Sequence, residues 1–171
     1  MARVMIVGGG CRGRELARGL IDRGHAVRIT TRSEQGRGAI EALGGECWIG
    51  TPDRLATLRG ALDGVAIACW LLGTAAGSEE ELRALHTTRL ELFLTQAIDT
   101  TVRGLLYELG GESGPVAARA EGERIARRLT ARNQIPVAWI EADPRRVEAW
   151  ASEALAAVET LLAPVASRVV G

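Results

Sequence analysis

Six short apolar runs, each followed by a stretch of helical character, run through this chain, and this alternation restricts its fold more than any other feature. The runs lie at 3–7, 26–30, 46–49, 65–71, 102–107 and 136–140. The fourth is apolar throughout, as a strand buried on both faces requires. Between 13 and 23, Leu16, Leu20 and Ile21 recur at helical spacing, and Gly24 supplies a stop. A short helix is expected over 34–43. Thr51-Pro52-Asp53 combines a capping residue, a proline for the first turn and an acidic charge, and predicts a helix reaching 62. Ser78 with Glu81 forms a capping box for one long helix over 78–98. Pro115 opens a helix to 133, and Asp143-Pro144 opens a last one to 162. Short strand–helix alternation predicts a parallel sheet with helices on both faces. With 171 residues and no linker or repeat, a single domain is expected to fill the chain.

Composition excludes several classes of function. Lys+Arg and Asp+Glu are 21 each, so no basic excess points to nucleic acid or an anionic membrane. No apolar run approaches the roughly 18 residues of a membrane span. No secretion signal precedes the first strand, so a cytoplasmic protein is expected. The 3 cysteines, Cys11, Cys47 and Cys69, lack C-x-x-C spacing and fit a reducing compartment rather than a disulfide framework or zinc site. The 2 histidines, His25 and His86, are scattered and show no partner, so no metal site is expected.

Gly8-Gly9-Gly10-Cys11-Arg12-Gly13 fits G-x-G-x-x-G. It follows the first strand and opens the first helix, the context in which such a turn binds a dinucleotide. Gly8 allows the tight turn, Gly10 lets the backbone approach the pyrophosphate, and Gly13 lets helix and strand pack closely. The helix N-terminus then offers N–H groups to the phosphates. After the second strand, about twenty residues on, an acidic residue would select NAD through the ribose 2′-OH. This chain has Thr30-Thr31-Arg32-Ser33 there. Arg32 suits a 2′-phosphate, and Arg12 is expected to reach the same group, so NADP is favoured over NAD.

In these stretches, and in GTPDRLATLRGALDGV, VRGLLYELG and IPVAWIEADP, the chain resembles an atypical short-chain dehydrogenase/reductase of the NmrA-like or extended-like kind. The resemblance implies a doubly wound, three-layer Rossmann fold with strand order 3-2-1-4-5-6. It implies cofactor contacts from the glycine turn, including Cys11 and Arg12, from Thr31, Arg32 and Ser33, and from Leu71, Leu72 and Gly73. It also implies that Gly50 and Thr51 approach the adenine, although an aspartate is usual where Thr51 stands. Finally, it implies a homodimer built on the helices over 78–98 and 115–133, in which Leu82, Leu85, Leu90, Leu92, Phe93 and Leu94 form a wide apolar arc.

Reductases of this kind use a Tyr-x-x-x-Lys pair for proton transfer. This chain has no lysine, and its only tyrosine, Tyr107, is followed four residues later by Gly111. The segment that would open the fifth helix with the motif reads Pro115-Val-Ala-Ala-Arg119. No substantial substrate domain follows the sixth strand, only one helix and 165–171. The leading reading is a nucleotide-binding protein with a sensing or regulatory role toward a protein partner. The alternatives are a small oxidoreductase or isomerase with a non-standard proton donor, such as Tyr107, an arginine or water, and a structural subunit with a vestigial site.

Overall fold

The computed structural model describes residues 1–164. Its strands are β1 (Arg3–Gly8), β2 (Ala26–Thr31), β3 (Glu46–Ile49), β4 (Ile67–Leu71), β5 (Gly104–Glu108) and β6 (Val137–Ile140). They pair in parallel throughout, in the order β3-β2-β1-β4-β5-β6. Helices α1 (Gly10–Asp22), α2 (Arg37–Ala42), α3 (Glu79–His86), α4 (Thr88–Ile98), α5 (Val116–Arg132) and α6 (Val147–Leu162) cover the two faces. This is the Rossmann arrangement expected from the sequence, and the strand order reverses between β1 and β4.

Alternate residues of a strand point to opposite faces. Val4, Ile6, Ile67, Cys69 and Leu71 therefore pack with Leu16 and Leu20 of α1, Ile40 of α2 and Trp150 of α6. Met5, Val7, Ala68, Trp70 and Leu105 pack with Leu85 of α3, Phe93 of α4 and Ile125 of α5. At roughly 1.5–3 kcal/mol per buried large aliphatic side chain, this two-sided burial fixes β1 and β4 at the centre of the sheet. Among the described residues, no helix is long and apolar enough to cross a membrane.

Three expected helices differ. Residues 52–62 form two short 3₁₀ turns, Leu55–Thr57 and Gly60–Leu62, rather than a helix. The Thr57 hydroxyl accepts from the Thr51 N–H at 2.9 Å and donates to the Arg54 carbonyl at 2.6 Å. The Trp48 indole takes the Thr57 carbonyl at 2.7 Å. These side chains satisfy the groups a helix would have paired. The long helix breaks at Thr87, where φ is −123° and ψ is −89° and the hydroxyl donates to the Arg83 carbonyl at 2.7 Å. The capping box at Ser78 and Glu81 forms as expected. The last helix starts at Val147, because Asp143 accepts from the Arg145 N–H at 2.9 Å and holds the preceding residues in a turn.

The break at Thr87 also redirects the apolar arc. Leu85, Leu90, Phe93 and Leu94 are buried in this chain's own core, and Leu92 is the exposed member at 55%. Leu90, expected to face outward, is fully buried. Arg128 of α5 pairs with Glu91 of α4 at 2.9 Å, so part of the arginine-rich face is used within the chain.

Candidate nucleotide site

The loop between β1 and α1 is built on three glycines with positive φ: Gly8 at 80°, Gly9 at 87° and Gly10 at 51°. A Cβ on Gly8 would lie 2.5 Å from the Leu71 carbonyl oxygen, and one on Gly13 would lie 2.9 Å from the Gly8 carbonyl oxygen. Only glycine brings α1 this close to β1 and β4. A Cβ on Gly10 would meet nothing within 4 Å, so that position opens onto free space. The N-cap, Gly9, has no side chain to cap α1. The first-turn N–H groups are therefore left to water or to an anion.

A cavity of about 270 Å³ runs from this turn across the ends of β2 and β3. Among the expected residues, Gly8, Gly10, Thr31, Arg32, Gly50, Leu71 and Leu72 line it. Arg32 and Asp53 face each other there at 3.5 Å, both well exposed. Asp53 is brought in by the 51–57 loop, whose Pro52 and Asp53 carbonyls accept from Arg89. Thr51 serves the loop instead: its hydroxyl accepts from the Asp53 N–H at 3.3 Å. Cys11, Gly13, Ser33, Thr51 and Gly73 do not line this cavity. Cys11 is exposed, and its sulfur accepts from Arg14 at 3.2 Å. The lining residues that the sequence reading missed are Pro52, Asp53, Thr74, Ala75 and Leu85. An acidic residue two positions past Thr51 was the available signal for Asp53.

Arg12 does not join Arg32. Its guanidinium is 6% exposed and grips Glu108 at the end of β5 through Nη2–Oε1 at 2.6 Å and Nε–Oε2 at 3.2 Å. Nη1 donates to the Gly9 carbonyl at 3.2 Å and to the Thr74 hydroxyl at 2.8 Å. The Trp150 ring lies 5.1 Å from the guanidinium carbon. All the charge-bearing edges are engaged, which leaves no donor fork for a 2′-phosphate. Burial pushes the Glu108 carboxyl above the usual carboxylate range, while Arg12 and the Gly73 N–H pull it back.

Tyr107 is not placed as a proton donor. It is 4% exposed, packs edge-on against Trp139 and lies on the α5 face of the sheet, away from Glu108. Its hydroxyl approaches Gly122 of α5, and burial pushes its pKa up to about 12. Both histidines have partners. His25 meets Glu159 at 3.1 Å. His86 is buried, and its Nε2 lies 3.0 Å from the Ser113 hydroxyl, which donates to the Ala75 carbonyl at 2.9 Å. Burial and the nearby Arg119 hold His86 below the usual histidine value.

A second cavity, of about 480 Å³, lies beyond the ends of β4, β5 and β6 and is lined in part by Gly73, Gly111, Glu112, Ser113, Glu141 and Asp143. Thr74 and Ala75 line both cavities.

Fold and glycine turn together define a Rossmann-fold protein, whose fold is shared with solved short-chain dehydrogenase/reductase structures. A short-chain dehydrogenase from Rhodopseudomonas palustris superimposes with a TM-score of 0.69 at 15% identity, over 95% of this chain and 92% of that one. A short-chain dehydrogenase/reductase superfamily protein from Agrobacterium tumefaciens with bound NAD gives 0.67 at 18% identity, over 81% and 48%. Vestitone reductase from alfalfa gives 0.63 at 15%, over 82% and 56%. The chain thus spans about half the length of the latter two. At these identities the likeness is one of fold. No protein-family model and no curated protein matches the sequence.

Proposed function

We propose that this chain is a nucleotide-binding protein that takes NADP(H), with NAD(H) as the second choice, and acts by sensing or regulation rather than by reductase chemistry. The observation that carries this reading is the single cleft joining the glycine turn to Arg32. The NAD bound to the Agrobacterium structure supports a dinucleotide-type ligand for this architecture. The Arg32–Asp53 contact is exposed and worth little, so Arg32 is free to turn to a 2′-phosphate. Asp53 beside it offers an acceptor for a ribose hydroxyl, which favours NAD as the runner-up. Against catalysis stand the absence of lysine and the inward placement of Tyr107. The same reading takes 1–171 as one domain that works as a homodimer.

The test is a calorimetric titration of the full chain and of Arg32→Asp with NADPH and NADH. Arg32→Asp weakens NADPH by about 1.5–3 kcal/mol, the worth of a hydrogen bond to a charged group, and NADH by less. Equal losses for both would remove Arg32 from the 2′-phosphate. No binding of either by the unaltered chain would end the nucleotide reading.

A further inference from the structure

In a doubly wound sheet, a dinucleotide lies across the point where the strand order reverses, one mononucleotide half over each half of the sheet. Here that point lies between β1 and β4. The cleft on the β1–β3 side is continuous from Asp53 to the glycine turn, but it ends at Thr74 and Ala75. We infer that the site holds the adenosine-phosphate half of such a ligand and leaves a nicotinamide half unheld, so that its ligand class is the adenine nucleotide. The inference rests on the nucleotide reading above and narrows it.

The wall between the two cavities is fastened from both sides. Arg12 donates to the Thr74 hydroxyl at 2.8 Å while gripping the Gly9 carbonyl and Glu108. From the other side, the Ser113 N–H donates to the Gly73 carbonyl at 3.1 Å and the Ser113 hydroxyl to the Ala75 carbonyl at 2.9 Å. His86 stands behind Ser113 at 3.0 Å. Buried hydrogen bonds to a charged donor are among the stronger kind, so the loop is held rather than draped.

The loops after β4 and β5 also pack backbone against backbone, which stiffens the wall. A Cβ on Gly73 would lie 2.0 Å from the Gly110 carbonyl oxygen, and one on Gly111 would lie 2.1 Å from the Gly73 carbonyl oxygen. The electrostatics differ across the wall as well. The near cleft has Arg32 with Asp53 beside it and the α1 N-terminus. The far cavity has Glu112, Glu141 and Asp143, and the arginine lining it, Arg145, is bound to Asp143 at 3.0 Å. The far cavity thus carries an excess of negative charge that disfavours a phosphate-linked ribose there.

The test uses the full chain with NADP⁺, adenosine 2′,5′-bisphosphate and nicotinamide mononucleotide as probes. In saturation-transfer NMR with NADP⁺, the adenine protons receive saturation and the nicotinamide protons do not. By titration, the bisphosphate binds within about tenfold of NADP⁺, less than 1.4 kcal/mol apart, and the nicotinamide mononucleotide does not bind. Nicotinamide protons that saturate along with the adenine, or NADP⁺ more than about tenfold tighter than the bisphosphate, overturn the half-site while leaving nucleotide binding intact. If neither adenine ligand binds, the nucleotide reading falls and takes this inference with it.

Discussion

Replacing Arg12 by leucine removes one member of an ion pair whose side chains are 6% and 0% exposed. Glu108 then remains in the protein with the Gly73 N–H but without its guanidinium. Breaking a buried pair from one side costs about 3–5 kcal/mol, a large part of the roughly 5–15 kcal/mol that holds a typical domain together. Arg12→Leu should therefore shift the urea midpoint strongly at neutral pH. The loss also depends on pH in a definite direction. Without Arg12, burial raises the folded-state pKa of Glu108 further above its unfolded value of about 4.3. A raised carboxyl pKa gives stability that is fully present below the unfolded value and is lost as pH rises through the folded one. Because Glu108 is already raised in the unaltered chain, both chains lose stability together from about pH 4.3, and the deficit grows only once pH passes the unaltered chain's folded value toward the variant's higher one, by at most about 1.4 kcal/mol per pH unit. Because apolar replacement of both partners is near neutral, Arg12→Leu with Glu108→Leu should recover most of the loss. Urea unfolding followed by circular dichroism across the pH range measures all three variants. A single-variant deficit below about 1 kcal/mol that stays flat with pH would mean the pair behaves as a solvated surface contact, and the reasoning would be refuted.

Gly10→Val should abolish nucleotide binding in a protein that still folds. The side chain meets open space but fills the phosphate approach, and the positive φ adds strain of about 1–3 kcal/mol; calorimetry that finds unchanged affinity would remove the turn from the site. His86 is held neutral by burial, so its depressed folded pKa gives stability that is present above the unfolded value of about 6.5 and lost as pH falls below it. Urea midpoints should drop with acidity through that window, and His86→Gln should flatten the part of the slope that begins there; an identical profile in the variant would exonerate His86. Leu92→Arg should turn a dimer into a monomer by sedimentation, because Leu92 is the exposed leucine of the α4 face; a dimer that persists would place the interface elsewhere.

The strands were legible because burial on both faces writes itself as short apolar runs, as at 65–71. The glycine turn was legible because its requirements are local: positive φ with no room for a Cβ at Gly8, positive φ at Gly10 and close packing at Gly13 all favour glycine. Arg32 was legible through its fixed offset from that turn. What the sequence concealed came from distant partners. Thr51-Pro52-Asp53 reads as a helix start until Trp48 and Thr57 take the backbone groups of the loop. Arg12 reads as a phosphate ligand because Glu108, its true partner, lies 96 positions away. The apolar arc was misdirected for a related reason: the chain's own core, not a second copy, takes Leu85, Leu90, Phe93 and Leu94.

The Arg12–Glu108 pair also bears on how such a chain drifts over evolutionary time. Neither residue can be exchanged for an apolar one alone without stranding its partner's charge in the interior, so the apolar alternative is reached only by two substitutions arriving together. Gly73 and Gly111 add a second lock, since any side chain at either position collides with the backbone of the opposing loop. A lineage that acquires this arrangement can vary its surface freely, yet a single substitution at any of these four positions carries a folding cost. The wall across the cleft works as a ratchet on the sequences that carry it.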